Sequence, residues 1–299
     1  MFRGSIVAIV TPFKNGRLDE KRFRELIEFQ VRSGSTGIVP CGTTGESATL
    51  SFKEHDRVIE IAVEQVSGRI QVIAGTGSNS TEEAIMLTRH AAKAGADASL
   101  QVSPYYNRPT QKGLYEHFKA VAESVDIPIM LYNIASRTGV NIEPETMARL
   151  AHDCRNIVAV KEASGNLDQM SRIKHLCPAD FDLLSGDDSL TLPVLSIGGT
   201  GIVSVVANIV PGEVAALVDE FERGNVAKAR EIHYRLLPLV KAVFLETNPI
   251  PVKTAMGILG MCDPQMRLPL CEMSPHNLEA LKKALREHGP FPFKAARRK

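Results

Sequence analysis

Short apolar runs recur along the chain, separated by longer segments whose apolar residues return every three or four positions. The runs are Ile6–Val10, Gly37–Pro40, Ile70–Ala74, Ala98–Val102, Ile127–Tyr132, Ile157–Lys161, Phe181–Ser185 and Ile202–Val206. They are almost wholly apolar rather than alternating, which predicts parallel strands covered on both faces. Between them, Phe23, Leu26, Ile27 and Val31 share one helix face, as do Tyr115, Phe118, Ala122 and Val125. Ser51-x-x-Glu54 and Ser80-x-x-Glu83 are capping-box signatures that open two of the helices. Eight strand-then-helix repeats predict an α/β fold, a (β/α)₈ TIM barrel. The alternative is a doubly wound open sheet, but the place for its Gly-rich phosphate loop holds Thr11-Pro12-Phe13-Lys14. Gly198, Gly199 and Gly201 precede the eighth strand, at the wrong end for a barrel phosphate site.

Past residue 224 only helical patterns continue, at 225–246, 251–260 and 274–288. The chain therefore divides into a catalytic barrel over 1–224 and a C-terminal helical domain over 225–299. Asn248-Pro249-Ile250-Pro251 punctuates the helices, with Pro251 suited to a first helical turn. The basic tail over 290–299 reads as a solvated terminus.

Charge removes some functions. Lys and Arg number 35 against 34 Asp and Glu, so nothing points to nucleic acid or an anionic membrane as partner. The apolar runs are strand-length, far short of a membrane span. Pro12 cuts the first of them too short for a signal peptide. The five cysteines are scattered without a C-x-x-C pair and read as free thiols in a reducing compartment. The eight histidines form no H-x-H or H-E-x-x-H group, so a zinc site is not expected; no other metal and no cofactor is expected either. Carbonyl chemistry would then need an amine.

In a (β/α)₈ enzyme the reactive groups lie at the C-terminal ends of the strands. The sixth strand ends at Lys161. An amine there is partly desolvated, which favours its neutral, nucleophilic form. The alternative is a lysine stem lying along the barrel with its head in water or paired with Glu162. The fifth strand ends at Tyr132, whose phenol can exchange protons with a carbinolamine or simply pack. The second strand runs into Cys41-Gly42-Thr43-Thr44-Gly45-Glu46-Ser47. Its glycines could admit an anion to backbone N–H groups, or could only make a tight turn. Cys41 itself reads as a core residue. Pro104-Tyr105-Tyr106-Asn107-Arg108-Pro109 suggests a site, an interface or a loop anchor. Arg137, in Ser136-Arg137-Thr138-Gly139, can fork a carboxylate. Asp187, in Ser185-Gly186-Asp187-Asp188, can cap the next helix.

Together these motifs, with Val160-Lys161-Glu162-Ala163 and Asn248-Pro249-Ile250-Pro251-Val252-Lys253, resemble the dihydrodipicolinate synthase family of the N-acetylneuraminate lyase superfamily along nearly the whole chain. The resemblance implies that Lys161 forms an imine with pyruvate. It implies a proton relay of Thr43, Tyr132 and Tyr106, with Tyr106 reaching in from a neighbouring subunit of a homotetramer. It also implies that Thr44 holds the pyruvate carboxylate, with Val203 and Gly186 in the same pocket. Arg137 is implied to hold the carboxylate of L-aspartate-4-semialdehyde, in lysine and diaminopimelate biosynthesis in the cytoplasm. A site for L-lysine as feedback inhibitor is implied at Ser47, Ala48, His55, Asn79, Glu83 and Tyr105. The capping-box role is the alternative for Glu83, and Phe52 stands where the enterobacterial pattern has a histidine. A sister lyase or aldolase acting on a sugar-derived keto acid, and a barrel without catalysis, are the rival readings.

Overall fold

The computed structural model describes residues 1–293. Residues 294–299 of the basic tail lie outside the described residues. Eight parallel strands form the barrel: β1 (Gly4–Ala8), β2 (Gly37–Val39), β3 (Gln71–Gly75), β4 (Ala98–Val102), β5 (Ile129–Asn133), β6 (Ile157–Glu162), β7 (Asp182–Ser185) and β8 (Gly201–Ser204). β1 pairs with both β2 and β8, so the sheet closes on itself, which rules out the open doubly wound sheet. A short antiparallel hairpin, Phe13–Lys14 with Arg17–Leu18, follows β1.

Ala98–Val102 matches its apolar run at both ends, the other strands differ by at most two residues at an end, and specific hydrogen bonds account for two of the differences. β8 stops at Ser204 because the Asp188 carboxylate accepts from the N–H groups of Val205 and Val206, at 3.0 and 3.3 Å. The first strand ends at Ala8 instead of Val10, whose N–H turns to the Asn208 side chain at 3.2 Å. β6 runs one residue further than expected, through Glu162.

Along each strand, side chains alternate between the barrel interior and the helical layer. Ile6, Ala8, Val39, Ile73, Leu100, Met130, Tyr132, Ala159, Leu184 and Val203 form one buried cluster inside the barrel. The opposite parity, including Val7, Ile38, Leu131, Val160 and Ile202, packs against the surrounding helices. α1 (Glu20–Arg32) shows how the helices are set: Asp19 caps it, accepting from the Arg22 N–H at 3.0 Å, and Phe23, Leu26 and Ile27 are buried.

Three further helices, Val226–Ala242, Ile250–Ile258 and Pro275–His288, follow the barrel. The first ends four residues before the predicted 246; Glu246 instead accepts hydrogen bonds from Ser274 and Asn277 at the start of the last helix. Ile232, Leu236, Val252, Met256 and Leu281 of these helices join the same hydrophobic cluster as Val7 and Ile38.

A polar contact fastens them to the barrel mouth. Lys253 and Glu46 are fully buried side chains 2.5 Å apart, although 207 residues separate them. Lys253 also donates to the Gln265 carbonyl at 2.7 Å and lies over the Phe13 ring, and Glu46 accepts from the Arg267 N–H at 3.1 Å. Removing one partner of such a pair leaves an uncompensated buried charge. Lys253→Met should therefore lower unfolding stability by about 3–5 kcal/mol in urea titrations. The double change Lys253→Met with Glu46→Gln should recover part of that loss. A single variant as stable as wild type would show that the pair carries no net stabilisation.

Candidate active site at the barrel mouth

The alternation of β5 and β6 brings the reactive pair together. Their register places Tyr132 opposite Lys161 and Asn133 opposite Glu162. Tyr132 shares its parity with Met130, and Lys161 with Ala159, so both face the barrel interior. The Lys161 Nζ lies 4.1 Å from the centroid of the Tyr132 ring. Lys161 is 5% exposed, so its amine is largely withdrawn from water. Pairing with Glu162 does not occur. Glu162 points outward and accepts from Asn133, the Ser164 N–H and Gln169. Burial pushes the Glu162 carboxyl up, against those hydrogen bonds, so this buried group is spent holding two strand ends together.

Gly186 is required where it stands. A Cβ there would sit 2.6 Å from the Ala163 Cβ, with the Glu162 carbonyl at 3.1 Å and the Lys161 Cε at 3.2 Å, so glycine lets the two strand ends pack this closely beside the lysine stem. Asp187 does not cap the short helix that follows, contrary to the simple expectation. Burial raises its carboxyl, opposed by the positive charge of Lys161, which places Asp187 in the electrostatic surroundings of the amine. Asp188 turns away to Ser204 and the β8 end. Val203 is fully buried in β8, inside the barrel.

The loop after β2 supplies the threonines. Gly75 makes room for it, since a Cβ there would meet the Cys41 carbonyl oxygen at 2.4 Å. The N–H groups of Gly45, Glu46 and Ser47 are used within the loop, donating to Thr43 and Gly42 carbonyls. The tight-turn reading therefore holds for these three amides. Thr44 is buried, and its Oγ1 accepts from the Asn248 Nδ2 at 2.9 Å. Thr43 faces a cleft of about 630 Å³ together with Tyr132, Arg137 and Asn248. Arg137 sits exposed on a one-turn helix, Ala135–Thr138, and its Nη2 donates to the Asn248 carbonyl at 3.4 Å. Cys41 is buried against the His55 carbonyl, and burial raises its thiol far above the usual range, as suits a core residue.

The residues expected to bind a regulator open onto the same cleft. Ser47, Ala48, His55, Glu83 and Tyr105 line it, with Phe52 beside them. The His55 Nε2 lies 2.9 Å from the Gly75 carbonyl, so that nitrogen carries a proton, and burial pushes the ring's pKa down against that hydrogen bond. The second capping box is only half formed. Ser80 accepts from the Glu83 N–H, but the Glu83 carboxylate takes the Ser78 hydroxyl instead of the Ser80 backbone. Asn79 is outside the cleft lining and ties the next loop down, its Nδ2 donating to the Tyr105 carbonyl at 3.2 Å. Tyr106, at φ 72°, is 92% exposed and does not line its own chain's cleft.

Two features were not read from the pattern of residues. Asn248 looks like helix punctuation in sequence, and its carboxamide reaches Thr44 across 204 positions. The Glu46–Lys253 pair is equally remote, and neither residue carries a local signal for the other. Among the described residues no cluster of His, Cys, Asp and Glu could hold a metal ion. Among the described residues, too, no helix is long and apolar enough to cross a membrane.

Comparison with known proteins bears on this geometry. A model of the dihydrodipicolinate synthetase family matches residues 1–288. A 4-hydroxy-tetrahydrodipicolinate synthase of Endomicrobium trichonymphae is 60% identical over 289 residues, covering 97% of this chain and 99% of the relative. The crystal structure of dihydrodipicolinate synthase from Aquifex aeolicus has a TM-score of 0.95 at 55% identity, covering 96% of this chain and 98% of that one. The enzyme of Cyanidioschyzon merolae, crystallised with lysine bound, has a TM-score of 0.93 at 45% identity, covering 96% and 98%. With its closed barrel, its strand-end lysine against a tyrosine and these near-full-length matches, this chain belongs to the dihydrodipicolinate synthetase family.

Proposed function

We infer that this chain has the activity its relatives are named for: it condenses pyruvate with L-aspartate-4-semialdehyde to 4-hydroxy-tetrahydrodipicolinate, in lysine and diaminopimelate biosynthesis. The observation that carries the chemistry is a buried Lys161, facing the barrel interior with its Nζ 4.1 Å from the Tyr132 ring centroid. The Lys161 amine adds to the ketone carbon of pyruvate, and the carbinolamine loses water to give a protonated imine. That imine is an electron sink, so a methyl proton can leave and an enamine forms. The enamine carbon attacks the aldehyde, whose oxygen takes a proton. The amine of the second substrate then attacks the imine carbon, displaces Lys161 and closes the ring.

In this reading Tyr132, Thr43 and Tyr106 pass the protons, Thr44 holds the pyruvate carboxylate beside Val203 and Gly186, and Arg137 holds the semialdehyde carboxylate. The exposure of Arg137 on the cleft supports the last role, because a second substrate must arrive after the imine has formed. The near-complete exposure of Tyr106 supports its use by a neighbouring copy within a homotetramer. The reaction is assigned to the cytoplasm. L-Lysine is assigned as inhibitor at Ser47, Ala48, His55, Asn79, Glu83 and Tyr105, supported by a Glu83 carboxylate that faces the cleft instead of its own helix end.

In an assay coupled to product reduction, wild type should turn over only with both substrates. Tyr132→Phe should lower kcat by about 10²–10⁴-fold, the usual contribution of general acid–base help. An unchanged kcat would make the phenol structural. Mixing Tyr106→Phe with Lys161→Ala protein should restore activity as subunits exchange; proven exchange without recovery would return Tyr106 to its own chain's site. Titrated L-lysine should inhibit wild type and not Glu83→Ala. Equal response of the two proteins would remove Glu83 from the inhibitor site.

A further inference from the structure

We propose that Asn248 is a positioning residue that fixes the direction of the Thr44 hydroxyl, and so the affinity for pyruvate. The proposal rests on the reading of Thr44 as the group that holds the pyruvate carboxylate. Asn248 stands between the two groups assigned to substrate carboxylates. Its Nδ2 donates to the Thr44 Oγ1 at 2.9 Å, and its backbone carbonyl accepts from the Arg137 Nη2 at 3.4 Å. It lines the cleft but is only 6% exposed, and Thr44 is 1% exposed.

A threonine hydroxyl has one proton to donate and two lone pairs. A carboxylate has only acceptors, so Thr44 serves pyruvate only if its proton points at the ligand. The Asn248 amide enforces this by filling a lone pair of the hydroxyl and leaving its proton no acceptor on that side. The structure places the amide nitrogen, not the oxygen, against the Thr44 hydroxyl, and the variants below test that sense. As placed, the carboxamide leaves one acceptor, Oδ1, enclosed without a partner among the described residues. Turned over, its oxygen would take the Thr44 proton and both protons of the NH₂ would be unmet, against Oδ1 and one proton as placed. An unmet buried acceptor is a cost that simple packing would not retain. It is accounted for if the carboxamide's task is to donate to Thr44.

One substitution that keeps the volume but reverses the bond, and one that removes it, separate this from packing. Asn248→Asp is nearly isosteric, yet its carboxylate accepts the Thr44 proton and diverts it from the substrate. Asn248→Ala removes the donor and frees the hydroxyl to rotate. Both retain the backbone carbonyl that Arg137 uses. Steady-state kinetics should show a rise in KM for pyruvate of roughly ten- to a hundredfold for Asn248→Asp, the range for a lost hydrogen bond to a charged group. The rise should be smaller for Asn248→Ala, with KM for the semialdehyde nearly unchanged in both. In a Thr44→Val background, Asn248→Ala should add nothing further, and that comparison stands even if the aspartate variant fails to fold. Three results would overturn the proposal: an unchanged pyruvate KM in Asn248→Ala and Asn248→Asp, a larger loss for Ala than for Asp, or a full Asn248→Ala effect without the Thr44 hydroxyl. A wild-type protein that does not use pyruvate at all would instead overturn the functional reading on which the proposal rests.

Discussion

The alternation of side chains along β5 and β6 decides what the barrel can do. Because Tyr132 pairs in register with Lys161, both side chains point into the barrel, where the amine meets a phenol ring and little water. One residue further on, Asn133 pairs with Glu162, and both point outward into a buried hydrogen-bond network. A slip of one residue would exchange these roles, turning the amine into the helical layer and the carboxylate into the pocket. The outward network is therefore more than packing, because it clamps the strand ends at the register that aims the reactive pair inward. Gly186 on the neighbouring strand end lets the two ends pack closely beside the lysine stem.

The rest of the mouth is assembled from distant segments. The loop carrying Thr43 and Thr44 is held from beyond the barrel, by Lys253 on Glu46 and by Asn248 on Thr44. Arg267 adds a further tie, with its guanidinium on Glu54 and its backbone N–H on Glu46. The C-terminal helices thus share a hydrophobic cluster with the barrel and also set its rim. One cleft then joins Thr43, Tyr132 and Arg137 to the wall containing His55 and Glu83.

Much of this was legible in sequence, for a physical reason. A parallel barrel buries both faces of its strands, so each strand announces itself as an unbroken apolar run, and a lysine ending such a run stands out. Lys161 and Tyr132 were found that way, and the closed barrel confirms their shared position at the strand ends. Strand limits were less legible where a side chain competes for a backbone N–H, as Asp188 does at the end of β8. The capping box at Ser80 looked identical to that at Ser51, yet only the latter closes, because a serine two residues upstream captures Glu83. Asn248, Glu46 and Lys253 carried no readable signal as partners, since each contact spans more than 200 positions and depends on the finished fold.

The central claim is that Lys161 is the amine that binds the keto acid. The most direct measurement is mass spectrometry of the protein after incubation with pyruvate and borohydride, which reduces an imine to a stable secondary amine. One pyruvate-derived group per chain, located at Lys161 by peptide mapping and absent from Lys161→Ala, is the result this account requires. Label on Lys253 or another lysine, or no label on active protein, would contradict it.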